Sequence, residues 1–201
     1  MQHLPLNASV ECQDGVVGKS SDVVLNPITR QVTYLVVEEK RAGHLKRLIP
    51  VAAISESSSE LIQLSCTLEQ FEQMDLFEIA HFIHDEMYSG PDSGFILEPY
   101  TLPAHYEVVE ERIPPGQLAM HRGTAVKATD GKIGVIDEFL VDPNDGHISH
   151  IVLRERHLLR KQEHTLPISA IDRVAENIVF LKLTKKQVED LPTVPQRPRE
   201  T

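Results

Sequence analysis

Apolar positions recur in the same order in two parts of the chain. The stretch VVLNPITRQVTYLVV (residues 23–37) aligns without a gap with FLVDPNDGHISHIVL (residues 139–153), at an offset of 116 residues. In each stretch an apolar run is followed by Asn-Pro or Asp-Pro and then by a second apolar run. Apolar, β-branched runs separated by turn residues are typical of a β-hairpin. The pattern therefore predicts the same hairpin twice in one chain.

The internal match extends on both sides of this hairpin. An Asp-Gly turn precedes the hairpin in both copies, and a Pro-x-x-Ala-Ile motif follows it. One residue is inserted before this motif in the second copy, which raises the offset to 117. A glycine inside the second strand of each copy predicts a β-bulge or a sharp bend. The shared structural positions are Asp14, Gly15, Gly18, Pro27 and Pro50 in the first copy and Asp130, Gly131, Gly134, Pro143 and Pro167 in the second.

Each copy ends in a pattern that predicts a helix start. Thr67 and Gln70 in the first copy, and Thr184 and Gln187 in the second, have the spacing of a capping box. In that motif the threonine hydroxyl accepts a hydrogen bond from a backbone N–H three residues on, and the glutamine side chain reaches back. Short strands bounded by turn residues are typical of a small barrel. The predicted fold is mainly β, with two small β-barrels of five to six short strands, each followed by a short C-terminal helix.

The repeat also predicts how the chain is divided. Residues 8–75 form the first barrel and residues 117–192 the second, while residues 193–201 are proline-rich and polar, as in a disordered tail. Residues 76–116 belong to neither copy and are predicted to be a linker, helical at first and then extended. The helical part rests on apolar residues at helical spacing, which are Leu76, Ile79, Phe82, Ile83 and Met87. The extended part contains several prolines, and we expect it to lie across one or both barrels.

The ordered set of motifs resembles a known domain family. Each copy reads Asp-Gly-x-x-Gly, then Asn-Pro or Asp-Pro, then an apolar strand, then Ile-Pro or Leu-Pro-x-x-Ala-Ile. This order resembles the PRC-barrel, which occurs in the cytoplasmic part of the H subunit of the purple-bacterial photosynthetic reaction centre. The family also includes the C-terminal half of a ribosome maturation factor and small stand-alone proteins. The resemblance implies the barrel fold but no particular activity, because one fold serves many functions.

Composition narrows the functional classes. The chain has 201 residues, is 41% hydrophobic and has a net charge of −10, with eight acidic residues and one basic residue in the linker. An acidic chain repels phosphate backbones, so direct nucleic-acid binding is disfavoured. No apolar run approaches the roughly 20 residues that span a bilayer, and the N-terminus lacks a basic segment followed by an apolar core. These features predict a cytoplasmic protein without a transmembrane segment, with a membrane-peripheral position as the alternative.

The sequence contains none of the motifs that would indicate catalysis. A Gly-rich phosphate loop, a Gly-x-Ser-x-Gly elbow and a Cys-x-x-Cys pair are all missing from it. We therefore predict a protein that is not an enzyme, with no catalytic residues and no cofactor. Cys12 and Cys66 align with Ala128 and Leu183 of the second copy, which favours two small buried hydrophobic residues. A disulfide between them would require their Cα atoms to lie within about 7 Å.

Histidines supply the nearest approach to a metal-binding pattern. His81 and His84 would lie on one face of the predicted helix, with Asp85 and Glu86 beside them. A third ligand with recognisable spacing is missing, so a charged helix face is the favoured interpretation and no metal site is predicted. A second group is scattered over strand and loop positions, and we interpret it as polar rather than metal-binding; it comprises His147, His150, His157 and His164.

Basic residues concentrate at the same place in both copies, in the loop that follows the third strand. One interpretation is a charged hairpin edge that prevents strand-to-strand aggregation. The other is a docking surface for an acidic partner. The candidate binding residues are Lys40, Arg41, Lys46 and Arg47 in the first copy and Arg154, Arg156, Arg160 and Lys161 in the second.

The function that these observations favour is that of a non-catalytic protein-interaction or adaptor protein built from two PRC-type barrels. Its partner would be another protein, for example a membrane complex, or a second copy of the chain, while binding of a small ligand stays open. The family resemblance implies two alternatives. One is a peripheral, H-subunit-like component of a photosynthetic or electron-transfer membrane complex. The other is a role in ribosome maturation.

Overall fold

The computed structural model describes residues 1–40, 43–84, 105–154, 163–175 and 177–191. The first half contains β1 (Gln2–Pro5), β2 (Ser9–Cys12), β3 (Gly15–Asn26), β4 (Gln31–Glu39), β5 (Lys46–Pro50), β6 (Ile54–Ser57), β7 (Leu61–Leu64) and α1 (Leu68–Glu72). The linker contains β8 (Glu78–His84) and β9 (His105–Glu111). The second half contains β10 (Leu118–His121), β11 (Ala125–Ala128), β12 (Gly131–Val141), β13 (Ile148–Arg154), β14 (Glu163–Pro167), β15 (Ile171–Ala175), β16 (Ile178–Leu181) and α2 (Lys185–Glu189).

The fold is mainly β, as predicted; fourteen of its described strands form two curled seven-stranded sheets, and β8 and β9 form a separate two-stranded sheet. Sheet one has the order β5-β4-β3-β2-β7-β6, and sheet two has the equivalent order β14-β13-β12-β11-β16-β15. In both, neighbours are antiparallel except for one parallel pair, β2 with β7 and β11 with β16. The internal repeat of the sequence is therefore a repeat of topology. In the described ranges no helix is long and apolar enough to cross a membrane.

The seventh strand of each sheet comes from the other half of the chain. β10 pairs antiparallel with β3, and β1 pairs antiparallel with β12. The two exchanged strands are equivalent under the repeat offset, and each inserts a buried side chain beside a buried partner: Met120 lies opposite Val23, and Leu4 lies opposite Phe139. Residues of both halves consequently form one hydrophobic core. The sequence pattern does not reveal this exchange, and β1 lies outside the predicted first unit of residues 8–75.

The two main hairpin turns also meet, and they do so reciprocally. The amide of Val32 donates to the carbonyl of Gly146 at 2.9 Å, and the amide of Ile148 donates to the carbonyl of Arg30 at 2.9 Å. Val32 and Ile148 are equivalent positions of the repeat, and so are Arg30 and Gly146. The two halves are therefore related by an approximate two-fold axis. The contact is tight, because a Cβ atom on Gly146 would lie 2.7 Å from the carbonyl oxygen of Val32.

The predicted bulge beside each strand glycine is confirmed. The register between β2 and β3 shifts between Val10 and Glu11, opposite Gly18, and the same shift occurs opposite Gly134 between β11 and β12. Gly18 also allows a close backbone approach, because a Cβ atom there would lie 1.9 Å from the carbonyl oxygen of Glu38. The bulge bends the long strand, which then pairs with β2 at one end and with the exchanged β10 at the other.

Both predicted capping boxes are present, at Thr67 with Gln70 and at Thr184 with Gln187. The repeated aspartate has a further role that the turn pattern does not predict. Asp14 accepts a hydrogen bond from the amide of Leu68 at 2.8 Å, and Asp130 accepts one from the amide of Lys185 at 2.9 Å. Each aspartate thus satisfies an amide of the first helical turn that has no partner within the helix.

The linker corrects one prediction. Residues 78–84 form strand β8 rather than a helix, and they pair antiparallel with β9 from Glu78 opposite Glu111 to His84 opposite His105. The apolar spacing of this segment fits a helix locally, but a distant segment supplies the hydrogen-bond partners of a strand. The extended conformation predicted for the later part of the linker is confirmed over residues 105–111. Residues 85–104 and the predicted tail lie outside the described residues.

Candidate protein-interaction site

The linker begins by covering the edge of sheet one. The amide of Leu48 in β5 donates to the carbonyl of Asp75 at 2.9 Å, and the amide of Phe77 donates to the carbonyl of Lys46 at 2.7 Å. Phe77 is fully buried on the outer face of the sheet, in a small cluster with Val24, Val36 and Leu48. Burying a phenylalanine contributes about 2–3 kcal/mol, so this contact fixes the point at which the linker leaves the sheet.

From this point β8 and β9 form a two-stranded hairpin, here called the arm. The arm comprises residues 78–84 and 105–111, and within the described ranges its strands pair only with each other. The amide of Arg112 donates to the carbonyl of Phe77 at 2.6 Å, which closes the base of the arm. Glu78 and Glu111 face each other there as register partners. Like charges directly opposite each other destabilise a strand pair, so the base requires compensating cations.

Those cations come from the body of the fold and form an ionic cluster. Lys46 Nζ lies 2.6 Å from Glu78 Oε1, and His121 Nε2 lies 3.5 Å from Glu111 Oε1. Asp22 lies beneath both cations, and only 3% of its surface is exposed. It accepts a hydrogen bond from His121 Nδ1 at 2.7 Å and lies 3.9 Å from Lys46 Nζ. Strands β3, β5, β8, β9 and β10 thus meet at one cluster, which spans both halves and the arm.

Both cations of the cluster have raised pKa values. The hydrogen bond to Asp22 raises the pKa of His121, and the charges of Asp22 and Glu111 add to this effect, against burial and the charge of Lys46. Burial lowers the pKa of Lys46, but the hydrogen bond to Glu78 and the charges of Asp22, Glu78 and Glu38 outweigh it, so the net shift is upward. The cluster therefore favours the charged form of both side chains. It attaches the base of the arm to the body of the fold by electrostatic contacts.

The raised pKa of His121 predicts a loss of stability at alkaline pH. Because the folded pKa lies above the ordinary value of 6.5, the stabilisation is fully present below that value and is lost as pH rises through the folded pKa. Urea unfolding of the wild type between pH 5.5 and 9 should show this decrease. The variant H121Q should lack that component, whereas H147Q, at an exposed histidine in a turn, should retain it. An unchanged pH profile in H121Q would contradict the assignment.

Beside the arm base lies a shallow groove of about 420 Å³. Tyr34, Leu48 and Ile113 contribute apolar surface to it, and Glu110 and Arg112 contribute charged groups. The groove and the arm form a continuous surface on the outer side of sheet one. A mixed surface of this kind suits the side chains of a protein partner better than a deep small-molecule site, which would enclose most of its ligand.

The candidate basic residues are mostly engaged within the fold. Lys46 belongs to the ionic cluster, Arg47 forms an ion pair with Glu39 at 2.5 Å, and Arg154 forms an ion pair with Asp137. Arg47 also donates to the carbonyl of Met74 at 2.7 Å and lies over the ring of Phe71. These contacts neutralise the charge that an acidic partner would recognise. Lys40 is exposed at the end of β4, and the others lie outside the described residues: Arg41, Arg156, Arg160 and Lys161.

The structure removes the geometric reason for a metal site at His81 and His84. Both belong to strand β8, and positions three apart in a strand lie on opposite faces of a sheet. The correction follows from the change of helix to strand, since only a helix would place i and i+3 on one face. Throughout the described part of the chain, no group of three or more histidine, cysteine, aspartate and glutamate side chains has an arrangement suited to a metal ion.

The second histidine group divides by burial. His147 is exposed in the β12–β13 turn, and His157 lies outside the described residues. His164 in β14 is only 7% exposed, and neither of its ring nitrogens has a hydrogen-bond partner among the described residues. Its equivalent in the first half is Arg47, whose guanidinium finds three partners. The second half therefore has a polar side chain at the equivalent position, but among the described residues it lacks the polar contacts that Arg47 makes.

Replacing His164 by leucine is expected to stabilise the protein. A buried polar group without a partner costs about 1–3 kcal/mol, and leucine fills a similar volume without that cost. We expect the free energy of unfolding to rise by about 1 kcal/mol in urea titrations at pH 7. The matched control is H147L, where the histidine is exposed and the change should be close to zero. Destabilisation of H164L would show that His164 has a partner in solution.

Sequence reasoning missed most of the cluster. It names Lys46 as a basic loop residue and includes Glu78 and Glu111 only in the charge of the linker. Asp22 gives no clear local indication, because it follows the polar residues Lys19, Ser20 and Ser21 in β3 and comes directly before the apolar run of residues 23–25. Nothing local connects it with His121, which is 99 residues away.

No protein-family model matches the chain, and no curated protein is significantly similar to it.

Proposed function

We propose that the chain is a tandem PRC-barrel protein that acts, without catalysis, as a protein-interaction adaptor. In this proposal the two curled sheets are the two barrels, and the arm with its adjoining groove is the docking surface. The barrel assignment is supported by the Asp-Gly-x-x-Gly and Pro-x-x-Ala-Ile motifs, which occupy equivalent places in two sheets of equivalent strand order. The proposal that the chain docks a partner depends on the arm.

The observation that supports docking is the anchoring of the arm. A two-stranded hairpin is marginally stable by itself, yet this one is attached to the body by Phe77 and by the pairs Lys46–Glu78 and His121–Glu111. Such an anchor orients the arm, whose two strands pair with each other and, in the described ranges, with neither large sheet. Val109 in β9 is 53% exposed, which leaves apolar surface for contact with a partner.

Charge indicates the kind of partner. The linker has a net charge of −7, from eight acidic residues and one basic residue, whereas the described basic side chains Lys46, Arg47 and Arg154 are paired internally. A partner with a basic surface is therefore favoured over an acidic one. Electrostatic complementarity of this kind raises association rates and selects among partners.

The test is a crosslinked pull-down from the native host, with membrane, ribosomal and soluble fractions kept apart. The decisive variant is E107K/E110K, which places both substitutions in β9. The matched control is E56K/E60K, which makes the same change in net charge at exposed positions of β6 and the following turn. A partner that the control retains and the arm variant loses, and that binds the purified chain directly, would support the proposal.

Each fraction also decides between interpretations of the family resemblance. Retention of a membrane complex would specify a peripheral, H-subunit-like role, and retention of ribosomal proteins would specify a maturation role. A partner that binds both variants equally would overturn the arm as the docking surface. Salt dependence provides a second readout, because binding through the arm should weaken as ionic strength rises.

A further inference from the structure

Two thiols from separate elements meet inside the first half. Cys12 ends β2, and Cys66 lies between β7 and the N-cap of α1. Their sulfur atoms are 3.4 Å apart, and each residue is only 7% exposed. The parallel pairing of β2 with β7 sets this approach, and it continues in a hydrogen bond of 3.0 Å from the amide of Gln13 to the carbonyl of Cys66. The pairing of backbones therefore holds the two side chains side by side.

The second half shows that the fold does not require sulfur here. The equivalent positions are Ala128 and Leu183, and the equivalent backbone bond from Thr129 to the carbonyl of Leu183 has a length of 2.9 Å. Ala128 is equally buried, and Leu183 packs against the same core. Apolar residues satisfy the packing in an identical backbone setting. The fold therefore does not require two thiols at these positions, and their close approach is a feature of the first half alone.

We propose that Cys12 and Cys66 form a reversible intramolecular disulfide that links β2 to the start of α1. A disulfide has a sulfur–sulfur length of about 2.0 Å, so from their separation of 3.4 Å the two atoms need to approach by about 1.4 Å. The bond would join residues that are 54 positions apart in the sequence. Closing a loop of that size restricts the unfolded chain and stabilises the folded one.

The oxidation is balanced by a disulfide oxidant such as glutathione disulfide. One protein thiolate attacks it, which forms a mixed disulfide and releases one glutathione thiolate. The second protein thiolate then displaces the other glutathione, so the two protein thiols lose two protons and two electrons and the oxidant becomes two thiols. Burial and the neighbouring Cys66 raise the pKa of Cys12 to about 12. Thiolate is therefore scarce in the closed fold, and exchange depends on local opening of the β2–β7 edge.

The experiment uses the full chain equilibrated in glutathione buffers of defined ratio. Samples are quenched with acid, denatured and alkylated, and then measured by intact mass and peptide mapping. The expected result is a species that carries no alkyl group and is lighter than the unmodified reduced chain by about 2 Da, the mass of two hydrogens. Peptide mapping should then show a crosslinked peptide that contains both cysteines. Oxidised wild type should also melt several degrees higher than reduced wild type. C12A, which has the residue found in the second half, should show no such difference.

Two results would overturn the inference. One is the recovery of two alkylated thiols at every glutathione ratio, even after incubation in mild denaturant that opens the edge. The other is a product dominated by glutathione adducts or by disulfides between chains. Mass measurement of the wild type decides the matter without reference to C12A, so the test stands even if that variant is less stable. The outcome is independent of whether the arm binds a partner.

Discussion

Leu4→Ala is expected to destabilise both halves of the protein together, by about 3–5 kcal/mol. Leu4 is fully buried and lies opposite Phe139, so the change removes packing from sheet two, although residue 4 is at the N-terminus. Because β1 continues into β2 of sheet one, loss of this strand also disturbs the other sheet. The shared core predicts one cooperative unfolding transition for the whole chain rather than one for each half.

Urea unfolding and amide hydrogen exchange would test this. Exchange in L4A should rise in β12, about 135 residues away along the chain, as well as in β1. The mirror variant M120A should raise exchange in β3, because β10 pairs there. The control L45A makes the same chemical change at a leucine that is 43% exposed, and it should cost less than about 1 kcal/mol. Two separate unfolding transitions, of which L4A affects only one, would contradict the exchange of strands β1 and β10 between the two sheets.

Gly146→Ala is expected to cost about 2–4 kcal/mol and to weaken the contact between the two hairpin turns. The backbone at Gly146 has φ +70, which is unfavourable for alanine, and the added Cβ would lie 2.7 Å from the carbonyl oxygen of Val32. The hydrogen bond from Val32 to Gly146 cannot persist without displacement of one turn. The reciprocal bond from Ile148 to Arg30 lies beside it and should weaken as well.

The matched control is G123A. Gly123 also has a positive φ, +84, but a Cβ atom there would have no neighbour within 4 Å. G123A should lower the free energy of unfolding only by the cost of backbone strain, about 1–2 kcal/mol. The difference between the two variants in the free energy of unfolding measures the steric part of the turn contact. Equal destabilisation of G146A and G123A would show that the turns do not meet closely in solution.

These expectations concern contacts that local sequence does not predict. The hairpins, the Asp-Gly turns, the glycine bulges and both capping boxes depend on residues close together in the chain, and the sequence pattern predicts them because turn and cap chemistry is local. The repeat strengthens each prediction, since two copies with different surfaces keep the same turn residues. The role of Asp14 and Asp130 as caps is missed because the helix they cap begins more than 50 residues later.

The arm shows where a local pattern misleads. Residues 78–84 have apolar spacing that fits a helix, but they pair with residues of β9 that lie 21 to 33 positions further along the chain, from His84 with His105 to Glu78 with Glu111. Secondary-structure preferences are weak compared with such pairing. The interpretation of His81 and His84 as a pair on one face was wrong for the same reason.

The sequence alone determined a mainly β chain built from two equivalent halves, because turns, bulges and caps depend on near neighbours. Three contacts become visible only in the folded chain: the exchange of β1 and β10 between the sheets, the hydrogen bond between Asp22 and His121, and the approach of Cys12 to Cys66. Each of these contacts joins segments that are far apart in the sequence, so the local periodicity of apolar residues does not predict it. Burial and hydrogen bonding are satisfied only when those segments come together, so the folded chain as a whole selects them.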